Sequence, residues 1–275
     1  MAERRAVAMD FETLFLKKED HIATITLNRP ERRNALNLQM IQEIGSALDD
    51  VQADDSLRVL IITGAGRGFC SGADIDPASM GGGAPGQMNI ETMRRSPMIQ
   101  SMHKLILGLY KVKIPTIAMV NGACVGAGFE IALLCDMRVG SEYSKFMCGF
   151  VKLGLYPFSG TWLYPRVMGL AKAYELLYTG DTLDPQEALR IGVLNKVVPA
   201  DRLEEETMML ASKIAKGPPI VIRFMKSQIR QAITMDLETT LDVAATYEGV
   251  ITTTSDLIEG ISARFENREP NFQDK

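Results

Sequence analysis

GACVGAGFEIALLCDMRVG, Gly122 to Gly140, sets two acids, Glu130 and Asp136, among glycines and apolar side chains. A helix beginning near Gly128 places the amides of Ala127 and Gly128 at its N-terminus, where unpaired N–H groups and the helix dipole favour an anionic oxygen. The glycines, Gly126 among them, let a ligand approach the backbone closely. Glu130 falls in the first turn, beside whatever those amides hold. Phe129, Ile131 and Leu133 desolvate it, which raises a carboxyl pKa and suits a proton-transfer group. The competing account is that Glu130 only complements the helix dipole.

The chain around this stretch alternates strands and helices. ETLFLKK (12–18) and HIATITLN (21–28) flank ED, a hairpin pattern. After the loop NRPERRNALN, Ile41, Ile44, Leu48 and Val51 recur at helical spacing in LQMIQEIGSALDDVQ. LRVLIITG (57–64) and PTIAMVNG (115–122) are short continuous apolar runs, as in strands covered on both faces. A helix is expected over 97–110. This alternation argues for an α/β fold. MGGGAPGQM (80–88) has the composition of a mobile loop. From residue 161 onward helical segments dominate. The expected organisation is an α/β core over 1–200 and a helical region over 201–275.

The bulk properties narrow the function. A formal charge of −4 without a basic block gives no support to nucleic-acid binding. No apolar run reaches the length of a membrane span, and the start MAERRAVAMDFETL lacks the apolar core of a secretory signal. Cys70, Cys124, Cys135 and Cys148 form no CxxC pair, and His21 and His103 sit in no ligand pattern. The expectation is a reduced, cytoplasmic protein without a metal site.

A second glycine-punctuated loop, GRGFCSGADI (66–75), also follows a buried strand. Two such loops can each supply one amide to a single oxygen, an oxyanion hole. GFCSGADI (68–75) and VNGACVGAGFEIALLCDMRV (120–139) together resemble the enoyl-CoA hydratase/isomerase, or crotonase, family. ITLNRPERRNALN, KLGLYPFSGTWLYPRVMG, YTGDTLDPQEALRIGVLNKVVP and FENREPNF extend the resemblance over nearly the whole chain. It implies a spiral of ββα units with a helical C-terminal trimerisation region, and a homotrimer or homohexamer with 201–216 and 237–266 at the interfaces. It implies an acyl-CoA thioester as substrate, with coenzyme A entering only as part of it and no other cofactor. By resemblance the thioester carbonyl is held by the amides of Ser71 and Ala127, and the enolate formed there is the shared intermediate. The adenine falls near Ala73, Asp74 and Ile75, and the pantetheine near Ala35 and Leu36. Arg32 and Arg33 are candidates for the CoA phosphates, with a solvated loop as the alternative. For Asp74 the alternative is a turn residue.

The sequence also departs from the family pattern. Hydratases of the family use two glutamates; the first matches Glu130, and the second position is Phe150. Some isomerases carry an aspartate at the position of Phe158, where again there is no carboxylate. GFVKLGLYP and GTWLYPR look more like the ring-opening epoxide-isomerase branch of phenylacetate degradation. Glu130 is left as the acid/base candidate in a pocket of Phe150, Tyr156 and Phe158. Tyr156 is weighed as a proton donor or a wall, Cys148 as a nucleophile or an inert thiol, Trp162 as packing, and Asp136 as structural. The leading expectation is hydration or dehydration of an unsaturated acyl-CoA, linear or cyclic. Double-bond isomerisation is the alternative, followed by decarboxylation or hydrolysis, and by a non-catalytic acyl-CoA binder.

Overall fold

The structure, a computed structural model, describes residues 11–74, 91 and 94–275. Ile75 and the 80–88 stretch lie outside the described residues. β1 (Leu14–Glu19) and β2 (Ile22–Leu27) pair antiparallel. Their turn is Asp20–His21, one residue later than expected, with φ of 49° and 66°. Two successive positive φ values give the twist that matches paired strands. α1 (Leu38–Gln52) starts where the Asn37 side chain accepts the Met40 N–H at 2.9 Å, and it buries Ile41, Ile44, Leu48 and Val51 as their spacing requires.

Three ββα units follow. In the first, β3 (Val59–Gly64) and β4 (Gly68–Cys70) lead to α2 (Pro97–Tyr110). In the second, β5 (Thr116–Val120) and β6 (Ala123–Val125) lead to α3 (Ala127–Leu134). In the third, β7 (Met137–Ser141) and β8 (Lys145–Met147) lead to α4 (Gly160–Met168). The first strand of each unit joins a six-stranded sheet, order β1-β2-β3-β5-β7-β10 with β10 at Lys196–Val198, and the second joins a four-stranded sheet, order β4-β6-β8-β9 with β9 at Thr182–Leu183. All pairings among β2, β3, β5 and β7 are parallel, as are those among β4, β6 and β8. The fold is the expected spiral of ββα units.

α5 (Leu170–Thr179), β9 (Thr182–Leu183), α6 (Pro185–Arg190) and β10 (Lys196–Val198) complete this part. The helical run 166–180 is broken at Gly169, φ 77°. Next come α7 (Leu203–Ala215), α8 (Pro219–Ala232), α9 (Leu237–Ile251) and α10 (Ser255–Glu266); the run 237–267 divides at Thr252–Thr254. α7 lays Leu203, Ala211 and Ala215 on Ile22, Val59, Ile61, Ile117 and Val139 of the six-stranded sheet. With Leu60 and Ile62 buried in the main core on the opposite face, that packing leaves β3 buried at every position. Among the described residues, no helix is long and apolar enough to cross a membrane.

Candidate active site

The site lies at the carboxyl ends of three neighbouring parallel strands, β4, β6 and β8, of the smaller sheet. From these ends emerge residues 71–74, the start of α3, and residues 148–150. Side chains far apart in sequence meet there because the strands are hydrogen-bonded neighbours, as is common for sites in parallel sheets.

Gly126 turns the chain from β6 into α3 with φ 52° and ψ −121°, a conformation reserved in practice for glycine. Gly128 is needed for space: a Cβ there would lie 2.5 Å from the Cys70 carbonyl oxygen. All eight residues of α3 are buried, which is the physical reason for the run IALL after Glu130. Ala127 opens the helix, so its N–H has no intrahelical acceptor.

Ser71 does not offer its amide as expected. Its N–H donates to the Arg33 carbonyl at 3.0 Å. Ala73 instead forms a parallel bridge with Leu36, in which the Leu36 N–H donates to Gly72 O and the Asp74 N–H donates to Leu36 O. The N–H of Ala73 therefore points to the opposite side, toward β6 and α3. It has no hydrogen-bond partner among the described residues. The two loops are in contact: a Cβ on Gly72 would lie 3.5 Å from Ala127 N. The free pair of amides is that of Ala73 and Ala127.

Glu130 has no exposed surface. Its Oε2 accepts the Ser159 N–H at 2.9 Å and the Ser159 hydroxyl at 2.8 Å; its Oε1 accepts the Gly160 N–H at 3.0 Å. The carboxylate thus caps the N-terminus of α4, which fixes its position. Burial pushes the Glu130 carboxyl above its ordinary value, and the bonds from Ser159 and Gly160 oppose the rise only in part. Ser159 and Gly160 are the functional partners that sequence reasoning missed. The signal was FSG before a helical run, but nothing local ties it to an acid 29 residues earlier.

Phe150 stands at the mouth of α3, with its ring 3.6 Å from where a Cβ of Gly126 would be. It meets Phe158 edge-to-face at 6.2 Å. Tyr156 is 76% exposed, and its hydroxyl meets Thr161 Oγ1 at 3.5 Å rather than Glu130. Cys148 is buried, and burial pushes its thiol up, away from the nucleophilic thiolate. All four cysteines are buried and unpaired, and burial raises Cys70 and Cys135 to about 12.

On the facing loop, Asp74 is tied to Arg29 at 2.9 Å and to Arg32 at 3.1 Å. Burial acts to raise the Asp74 carboxyl, but the two guanidiniums outweigh it and hold it below its ordinary value. Arg29 also donates to the Ala35 carbonyl, so Ala35, Asp74 and Arg32 form one cluster, with Arg33 exposed beside it. Trp162 lies against Tyr110 at 5.5 Å, and Arg166 covers its ring at 4.1 Å.

The family model for enoyl-CoA hydratase/isomerase matches residues 17–275. The chain belongs to the enoyl-CoA hydratase/isomerase family. It is 36% identical over 261 residues to a 1,2-epoxyphenylacetyl-CoA isomerase of Escherichia coli, covering 94% of this chain and 97% of that one. It is 35% identical over 272 residues to a crotonyl-CoA hydratase of Syntrophomonas wolfei, covering 97% of this chain and 100% of that one. The crystal structure of an enoyl-CoA hydratase from Bacillus anthracis superposes with a TM-score of 0.88 at 32% identity, covering 96% of this chain and 100% of that one. With the family comes the class of activity: this is an acyl-CoA enzyme of the hydratase/isomerase type.

Proposed function

We propose that the enzyme adds water to, or removes it from, the α,β-bond of an enoyl-CoA, with Glu130 as its one carboxylate. The observation that carries this is the placement of a buried carboxylate, with no cation beside it among the described residues, one helical turn beyond the amide of Ala127. The thioester oxygen accepts the N–H groups of Ala127 and Ala73. Glu130 takes a proton from water as its oxygen bonds to Cβ. The electron pair of the double bond moves through Cα to the thioester oxygen, giving an enolate that the two amides stabilise. Glu130 then returns the proton to Cα, and the carbonyl re-forms. Each oxyanion donor contributes about 3–4 kcal/mol to such a step.

Double-bond isomerisation is the second reading, and Phe150 and Phe158 favour it. A carboxylate that takes a proton from Cγ and delivers it to Cα needs no water, and both aromatic rings exclude water. Incubation with enoyl-CoA esters and mass spectrometry separates the two. A gain of one water supports hydration; unchanged mass with shifted absorbance supports isomerisation; no change with any ester rejects both.

The cluster of Ala35, Asp74 and Arg32, with Arg33 beside it, is assigned to the CoA nucleotide and pantetheine, and no cofactor besides the substrate's own CoA is required. Assembly as a homotrimer or homohexamer in the cytoplasm completes the proposal. Ile229, Leu237, Ile258 and Phe265 of α8, α9 and α10 are 68%, 74%, 68% and 84% exposed, apolar surface that a second copy would cover.

A further inference from the structure

A cavity of about 390 Å³ opens behind Phe150. It touches the active site at two points. Phe150 lines the cavity and also packs over Gly126. Pro157 lines it too, and both Pro157 Cβ and Glu130 Oε1 lie 3.0 Å from the position of a Cβ on Gly160. The walls between these points and the surface include Tyr156, Tyr174, Leu177 and Tyr178. Tyr174 and Tyr178 meet at 5.5 Å. Among the described residues that line it, none carries a charge.

We infer that this cavity receives the part of the acyl group beyond the reacting carbons, and that the substrates are CoA thioesters of neutral, ring-bearing acyl groups. The inference rests on the acyl-CoA reading above and narrows it. A four-carbon acyl group leaves most of the volume empty. A ring of six or seven carbons reaches the Phe150–Phe158 pair and the tyrosines, whose faces and edges favour offset or edge-to-face contact with a planar ring. An acyl group ending in a carboxylate would lose its hydration with no cation to receive it, which is costly in an apolar cavity. At the rim, Tyr156 and Thr161 offer hydroxyls to a neutral polar substituent.

The test compares four thioesters on the full-length enzyme: crotonyl-CoA, 1-cyclohexenylcarbonyl-CoA, the linear 2-heptenoyl-CoA with the same carbon number, and a six-carbon enoyl-CoA with a terminal carboxylate. The ring ester is expected to exceed the linear heptenoyl ester about tenfold in kcat/KM. The carboxylate ester is expected to fall about 100-fold below the ring ester. Leu177→Trp, which fills the cavity, should lower the ratio of ring to crotonyl kcat/KM about tenfold. Should that variant fail to fold, Leu170→Trp at the 63% exposed rim replaces it. Equal or better use of the linear or carboxylate ester, or a ratio unmoved by the filling variant, overturns the inference while the acyl-CoA reading stands. If crotonyl-CoA and every other ester neither bind nor react, the acyl-CoA reading itself fails and this inference fails with it.

Discussion

Glu130 and Asp136 stand six residues apart around one short helix, yet the fold treats them in opposite ways. At the C-terminal end of α3, Asp136 takes Lys226 at 2.6 Å and Arg230 at 2.7 Å, and it accepts the Thr116 N–H at 2.8 Å and the Thr116 hydroxyl at 2.9 Å. Those bonds fasten α8 to the sheet. At the N-terminal end, Glu130 has only neutral donors and no cation among the described residues. An acid paired with two cations serves as an anchor. A buried acid held by neutral amides is fixed in place but keeps a raised pKa, so it can pass through both protonation states. The partner, rather than the acid, separates the anchored end from the end to which the proposed chemistry is assigned.

The largest effect is expected from Glu130→Gln. It keeps the shape and removes the proton carrier, so kcat is expected to fall about 10²–10⁴-fold in steady-state assays, with CoA-ester affinity little changed by calorimetry. Turnover near wild type would make Glu130 only the cap of α4. Asp136→Asn should have the opposite profile. It leaves Lys226 and Arg230 with uncompensated charge and should cost about 3 kcal/mol, seen as a drop of roughly 6–12 °C in thermal melting. Its turnover at a temperature where it is folded should remain well above that of Glu130→Gln.

Titration sharpens the contrast. Glu130 must be ionised to take a proton, so kcat/KM should fall on the acid side with a midpoint above that of an ordinary glutamate. The stability effect has the sign for an acid with a raised folded pKa. Its burial costs stability above the folded pKa, and the cost is relieved as pH falls through that value toward the unfolded one. Wild type should therefore gain stability relative to Glu130→Gln as pH falls through the folded value, on top of a constant loss in the variant, whose amide can accept on only one of the two sides that Ser159 and Gly160 occupy; a difference that does not change with pH contradicts it.

The smallest effect is expected at the other end of the helix. Lys226→Met replaces a buried ammonium with an apolar side chain and leaves Arg230 on Asp136, so the change at pH 7 should stay within about 1 kcal/mol. Burial lowers Lys226 to about 8. Between pH 8 and its unfolded value the unfolded chain binds more protons, so wild type should gain stability relative to Lys226→Met as pH rises through that window. Denaturant melts of both proteins at pH 7 and 10 check this; a wild-type-minus-variant stability that falls or stays constant between the two contradicts it.

Much of the architecture is legible in the sequence. The spacing of Ile41, Ile44, Leu48 and Val51 gave α1, the apolar runs gave β3 and β5, and the glycines around residue 126 marked the turn into a buried helix. These signals are local: side-chain period and glycine freedom act within a few residues. The same local logic identified Glu130 as a candidate, while the resemblance to the family marked Phe150 as a departure from a two-carboxylate site.

What the chain alone determined, then, is the alternation of strand and helix, the turn at Gly126, and an acid seated in an apolar first turn. Tertiary structure decided which amide of SGAD is free, because only the bridge of Leu36 to Ala73 and the bond from Ser71 to Arg33 set the direction of each N–H. It also decided that Ser159 and Gly160 hold Glu130 while Lys226 and Arg230 hold Asp136. Those partners come from elements 29 to 94 residues away. A hydrogen bond or ion pair depends on distance and direction in space, and no periodicity along the chain encodes either.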